Sequence, residues 1–403
     1  MSNSPKCEER PKRPYPDLNG SRQPGIADPQ WPVETPCYVP EEKRAGYVKD
    51  FAGRVDTQDW ITAIFFDVNV CTRDDLKTLL EDLSKYARKE MAEKPPESEM
   101  DLWIPRPDSR RVTVTIGFGT GLFLSAHGDD RFGLRHKKPK WLREMPKTEV
   151  DDFEPSEFIS DLVVIIASDA DQVNDSLLME LHDGRWHDPK TKKPDKRLTY
   201  KRSVSGYQRL DYRDHLRVAD GAANLTNVNG DIDKLVFIRP EDMEPAWCVD
   251  GSYLLWKEIQ LDRPLFESMT PEEQSGIIGR NVENGDIIPG KGHILKVQPR
   301  RGDHQDILGV RDEERRFLRR GYIFIGNDTP VVAGRLFFSY MRSLEKQGDW
   351  AVQMWQSAPN FPTTDYGVDP LFKSKVAKAL SGGYYFCPPN AAQGSFVGAG
   401  LFD

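Results

Sequence analysis

The feature that most limits the folds open to this chain is a rhythm of apolar runs that occurs twice. ITAIFFDVNV (61–70) is rich in β-branched and aromatic residues and reads as a strand. Over residues 74–91, Leu76, Leu79, Leu80, Leu83 and Tyr86 fall on one face at helical spacing. RVTVTIGFG (111–119) alternates at period two and runs into glycines, as a strand entering a tight turn does. DLVVIIASD (161–169) is a continuous apolar run, the pattern of a strand covered on one or both faces, and 170–181 reads as a helix. The second half repeats the order. It has a strand at 249–261, then a helix at 270–280 that opens with the cap sequence Thr-Pro-Glu-Glu. Strands at 316–326 and 333–341, a helix at 349–357 and a short last strand at 382–389 follow. Both halves show strand, helix, strand, strand, helix, with room for a final strand. That is the order of a ferredoxin-like βαββαβ unit, so the expected fold is α+β: two such units, antiparallel sheets with helices on one face.

A chain of 403 residues is too long for one ordinary core, which fits two halves. Residues 1–45 are rich in proline and charge and are expected to form an extended arm rather than a packed element. The N-terminal half then covers 46–230 and the C-terminal half 231–403. Segments 127–160 and 183–230 are long and polar; loops of that length are functional or disordered.

The charge balance narrows the partners. A net charge of -8 argues against general nucleic-acid binding, which needs a basic face. The pairs Arg315-Arg316 and Arg319-Arg320 sit beside acidic residues and form no long stripe. The cysteines at 7, 37, 71, 248 and 387 are odd in number and widely spaced, which points away from a disulfide framework or zinc site and toward a reducing compartment. No apolar run is long enough to span a membrane. The opening MSNSPKCEERPKRPYP lacks the apolar core of a secretory signal, so the expected location is cytoplasmic, with export after processing left open.

Seven histidines limit the metal and acid–base chemistry on offer. His127, His136, His182, His187, His215 and His304 lie in polar, charged stretches and read as solvated loop residues. No H-x-x-H or H-E-x-x-H spacing exists, which disfavours a zinc hydrolase. His293 differs: it sits in GKGHILKVQPR, where Gly290 and Gly292 allow close backbone approach and an apolar stretch follows. A histidine in such a setting can equally be a structural residue. What raises it is FLRRGYIF (317–324), where two cations interrupt an apolar strand. By alternation one of Arg319 and Arg320 faces solvent and the other faces inward, where a cation needs a partner or a cavity. Asp220, in LRVADGAANL, reads either as a plain Asp-Gly turn or as a half-buried carboxylate among alanines.

Taken in order, these pieces resemble the dye-decolorizing peroxidases over nearly the whole chain. The resemblance runs through RQPGIADP (22–29), VTVTIGFGTGLF (112–123), RFGL (131–134), VADGAAN (218–224) and DGSYLLWKEIQLD (250–262). It continues through the segment holding His293, FLRRGY (317–322), AGRLFFSYM (333–341), WAVQMWQSAPNFP (350–362) and GSFVGAGLF (394–402). Each piece is weak and the ordered set is strong. The resemblance implies a dimeric α+β barrel-like fold with haem b held between the halves, within the C-terminal one. It implies His293 as the iron ligand, Asp220 as the distal acid/base and Arg319 as the distal cation. Leu336 and Phe338 would wall the space above the iron, and Arg300 would contact a haem propionate. Two positions depart from the family pattern: Arg217 stands where glycine is usual, and Leu295 where arginine is frequent.

The activity implied is reduction of hydrogen peroxide with oxidation of dyes, phenols or aromatic amines. Self-association is left open. One carboxylate can move a proton between the two peroxide oxygens, and a guanidinium steadies the charge on the departing oxygen. Proton acceptance needs a carboxylate, and free Asp titrates near 3.9 against about 6.5 for His, so an acidic optimum is expected. Bulky donors would deliver electrons through aromatics reaching the surface; the candidates are Trp350, Trp355, Tyr340 and Tyr322. The competing roles are haem carriage, chlorite-type chemistry or iron removal on the same scaffold, and a haem-free scaffold.

Overall fold

The computed structural model describes residues 17–27, 31–32, 55–92, 111–125, 127–187, 193–209, 213–218, 224–225, 230–282, 286–297, 302, 304–326 and 331–403. In the N-terminal half, β1 (Trp60–Val68), α1 (Arg73–Met91), β2 (Thr113–Phe118), β3 (Leu162–Ser168), α2 (Asp171–His182) and β4 (Leu198–Tyr207) complete one βαββαβ unit. In the C-terminal half the strands are β5 (Ser252–Leu261), β6 (Leu318–Ile325), β7 (Ala333–Met341) and β8 (Ala377–Cys387). Between β5 and β6 lie α3 (Pro271–Ile278) and α4 (Gly292–Val297). Between β7 and β8 lie helical turns at Leu344–Gly348 and Trp350–Ser357 and the short α5 (Pro370–Lys373). The eight strands close into one barrel in the order β8-β2-β3-β1-β4-β6-β7-β5. Every neighbouring pair is antiparallel. Each unit keeps the same internal order, with its first strand next to its third and fourth.

A closed barrel explains why so many strands are apolar on both faces. Ile61, Ala63 and Phe65 belong to one core, and Ile64, Phe66 and Val68 to another. The second core includes Leu76, Leu79, Leu80 and Leu83 of α1, so it lies outside the barrel under the helices. The first is the barrel lumen. Eight strands leave an interior that side chains just fill. Trp256, Tyr322, Phe338 and Tyr385 are among the large side chains that fill it.

The joints between the two units are the thin places. β8 meets β2 at Phe386 and Phe118, and β4 meets β6 at Tyr207 and Ile323. A glutamine seals each. Nε2 of Gln23 donates to the carbonyls of Ile116 and Pro388 at 2.9 Å each, and its Oε1 accepts from the Ile116 amide. Gln208 donates to the carbonyl of Gly321. The arm expected to be unpacked is therefore corrected at 23–26, where Gln23, Pro24, Gly25 and Ile26 are all buried at the barrel end. Gly25 has φ +91, and a Cβ there would meet Thr115 Oγ1 at 2.4 Å, so only glycine fits this contact.

Three further expectations change. The polar stretch 183–230 contains β4, whose side chains are mostly half-exposed or exposed, so the strand carries no apolar run. β8 spans eleven residues, Ala377–Cys387, and starts earlier than expected; its first half is masked in sequence by Lys378 and Ser381. The segment 127–160 is ordered rather than loose, with Phe132, Leu134, Leu142, Met145 and Phe153 buried against the outer core. The helix at 350–357 forms as expected but with wide, π-type turns.

Candidate functional site

On the outer face of the C-terminal sheet, under α4, α5 and the wide-turned helix, lies a cavity of about 250 Å³. His293 opens onto it. α4 can start where it does because Gly292 is a glycine: φ is +78, and a Cβ would lie 2.1 Å from the amide nitrogen of Gly279, which ends α3. Nδ1 of His293 donates to Oδ2 of Asp369 at 2.7 Å. Asp369 is fully buried, whereas the His293 side chain is 33% exposed. Asp369 is held in turn: it caps α5, its Oδ1 accepting from the Leu371 amide, and its own amide donates to the Gln356 carbonyl. With Nδ1 engaged, Nε2 is the ring nitrogen left for a metal. Sequence gave no signal for Asp369 as partner, since it lies 76 residues away. The Asp-Pro pair that opens α5 marks it only as a cap.

The opposite wall is the sheet. Leu255, Lys257, Ile259 and Leu261 of β5, Arg319 and Gly321 of β6, and Arg335 and Phe337 of β7 line it. Arg319 is fixed through its backbone: its amide donates to Asn224 Oδ1 at 2.9 Å, and Asn224 Nδ2 donates to its carbonyl at 2.8 Å. Its neighbour Arg320 points the other way into the barrel, where it donates to the Ile26 carbonyl and to Gln58. So neither arginine of the pair simply faces solvent, because the sheet is covered on both sides. Lys257 is buried against the cavity and donates to Asp151 Oδ1 at 2.6 Å and Gln356 Oε1 at 2.8 Å. Burial pushes its ammonium down, against the pull of Asp151. Arg280 and Arg316 also reach the cavity, and Asp214 is the carboxylate among its lining residues. That carboxylate is spent on the amides of Leu216 and Val218. The cavity is a focus of positive charge in a protein of net charge -8.

Several expected positions need correction. Leu336 and Phe338 do not wall this cavity. They are fully buried in the barrel lumen, and Arg335 and Phe337 take the cavity face. A strand alternates faces residue by residue, so an offset of one exchanges the whole set. For the same reason Tyr322 and Tyr340 point into the lumen, each 1% exposed, and do not reach the surface. Trp355 does line the cavity, with Phe317 at 5.5 Å between ring centroids. Trp350 is buried beneath the Arg315 guanidinium, 3.8 Å from the ring centroid. Asp220 and Arg300 lie outside the described residues.

Family models decide what kind of protein this is. The model for the N-terminal part of Dyp-type peroxidases matches residues 55–184, and that for their C-terminal part matches 211–392. The chain belongs to the Dyp-type peroxidase family. A deferrochelatase from Escherichia coli O157:H7 is 25% identical over 333 residues, covering 73% of this chain and 69% of its own. Among solved structures, oxyferrous DtpA from Streptomyces lividans is similar with a TM-score of 0.69 at 20% identity, covering 97% of this chain and 98% of that one. A Dyp-type peroxidase from Cellulomonas bogoriensis gives 0.64 at 20% identity, with 88% and 96% covered. The cofactor of this Dyp-type family member is haem. The cavity suits it. His293, with Nε2 left over, would hold the iron, apolar side chains of β5 and the helices would line the porphyrin, and the cavity's cations would suit its carboxylates. Among the described residues no cluster of three or more His, Cys, Asp or Glu side chains could hold a metal without such a ring.

Proposed function

We propose that this member of the family uses hydrogen peroxide to oxidise bulky aromatic donors such as dyes, phenols and aromatic amines. His293 ligates the iron of haem b, and Arg319 and Asp220 work on the peroxide. The observation that carries the reading is the His293–Asp369 hydrogen bond, on the rim of a cavity whose sheet wall presents Arg319. Haem, when bound, supplies the redox centre at which the O–O bond is split. The side chains do the rest. Donation from Nδ1 to a carboxylate makes the imidazole a stronger electron donor through Nε2. The Arg319 guanidinium stays charged at any working pH and steadies negative charge on the departing oxygen. Asp220 takes a proton from one peroxide oxygen and returns it to the other. Its assignment rests on the VADGAAN motif. Asn224, the last residue of that motif, is bonded in both directions to the Arg319 backbone, which supports the pairing of these two segments.

Donors too large for the cavity would give up electrons through Trp355, with Trp350 further along the same helix; Tyr322 and Tyr340 drop out of that role. A second reading is favoured by the curated relatives: their name, deferrochelatase, points to release of iron from haem. One set of measurements separates the two. The purified protein should show a Soret band that responds to stoichiometric peroxide and recovers with an aromatic donor, and Arg319→Leu should cut turnover by about 100-fold. Porphyrin fluorescence appearing without donor oxidation favours iron release instead. A protein that purifies colourless and takes up no added hemin sinks both.

A further inference from the structure

Lys296 is a buried charge that the peroxide chemistry does not use. It sits one turn after His293 on α4 and is fully buried. Its ammonium has three protons, and three carbonyl oxygens accept from Nζ: Ala358 at 2.6 Å, Phe361 at 2.8 Å and Gly367 at 2.7 Å. Those carbonyls belong to the strap 358–367 that leads directly to Asp369. Tyr366 adds a parallel tie, its hydroxyl donating to the Gly292 carbonyl at 2.7 Å. The two members of the His293–Asp369 pair therefore stand on two pieces of chain, and Lys296 pins one piece to the other.

We infer that Lys296 is a positioning residue for the haem ligand: its ammonium locks the His293 helix to the strap that presents Asp369, and so sets the hydrogen bond at His293 Nδ1. The inference rests on the reading of His293 as the ligand. Burying an ammonium is expensive, and a methionine would fill the same space without that penalty. Three converging carbonyls would then lose the donor that Nζ provides. The charged and titratable groups around Lys296 are Asp369 and Glu149, whose charges favour the ammonium, and Tyr366, whose ring centroid lies 5.5 Å away. Burial outweighs the two carboxylates and brings the ammonium down to about 8. Raising the pH through that value removes a proton and one of the three ties.

The test uses the haem-loaded protein and reads the iron–histidine stretching frequency of the ferrous form by resonance Raman. In the wild type the frequency should drop as pH rises past the titration of Lys296, because the Asp369 contact loosens. Lys296→Met should show the lower frequency at every pH, and should pass haem to apomyoglobin about tenfold faster or more. A Lys296→Met protein with the wild-type frequency and the wild-type pH step overturns the inference. If that variant fails to fold or to hold haem, the wild-type titration alone decides, and a flat frequency overturns it. His293→Ala separates the underlying reading: if its axial-ligand signature is unchanged, His293 is not the ligand, whatever Lys296 does.

Discussion

At position 217 an arginine occupies backbone space that favours glycine, with φ +64. The turn is imposed by Asp214, whose Oδ1 accepts from the amides of Leu216 and Val218 and whose carbonyl accepts from that of Arg217. The glycine that the family resemblance leads one to expect at this place would suit that geometry. A side chain in the left-handed region costs about 1–2 kcal/mol, and glycine gives back about 0.5–1 kcal/mol through the entropy of the unfolded chain. Arg217→Gly should therefore stabilise the protein by about 0.5–1 kcal/mol in urea unfolding; a loss of stability would show that the exposed Arg217 side chain does more than solvate. Asp369 is the residue whose removal should speak most clearly. Asp369→Asn leaves a partner for His293 Nδ1 but no negative charge. Turnover should fall about 10–100-fold, and the ferric/ferrous midpoint potential should rise because the imidazole donates less. An unchanged potential would mean that the 2.7 Å contact does not tune the His293 imidazole.

Elements decide which of these side chains meet. α4 is short and has little intrinsic stability, so its place is set by contacts. Chief among them is the approach of Gly292 to Gly279. Gly292→Ala adds about 1–2 kcal/mol of backbone strain and about 1–3 kcal/mol of overlap with a backbone that cannot move aside. The expected result is a lower melting temperature and weak haem uptake; wild-type values for both would refute the contact. The helix Trp350–Ser357 shows the same dependence on context. Its π-type turns bring residues five apart into register, and Ala351, Val352, Trp355 and Gln356 all reach the cavity. The sequence marks a helix at 349–357 but carries no sign of its π-type turns.

For the whole molecule, a working range on the acid side must be compatible with the fold. Burial lifts the carboxyl of Asp349 above its ordinary value of 3.8, despite the neighbouring Arg143 and a hydrogen bond from Tyr384 at 3.0 Å. A lifted carboxyl protonates first in the folded state, so the fold gains stability as pH falls from the raised value toward 3.8. Asp161 behaves alike. Asp195 and Asp306, held low by Arg197 and Arg315 against the cost of burial, act in the opposite sense, their contribution lost as pH falls through their folded values. Asp349→Asn should remove its share of the acid-side gain, read as a steeper fall of melting temperature with acidification; an identical profile would assign the gain elsewhere. Turnover itself should peak below neutrality, since a peak at or above pH 7 with no acid-side activity contradicts an aspartate as proton carrier.

The order of elements was legible because it is written locally. Period-two and helical spacing marked most strands and helices of both βαββαβ units, and the ordered motifs carried the family resemblance; His293 and Arg319 line one cavity. Local signals failed where a residue's meaning depends on what covers it. β4 hid because its side chains are largely polar. The resemblance placed Leu336 and Phe338 on the cavity side, whereas both fill the lumen; in a barrel covered on both sides apolar residues stand on each face, so apolar character offers no check on such a transfer. Asp369, Lys296 and the two sealing glutamines gained their roles only when closure of the barrel brought distant segments together. The sequence determined which elements form and in what order; the tertiary structure decided which faces and which remote side chains meet, because burial and hydrogen bonding act through space rather than along the chain.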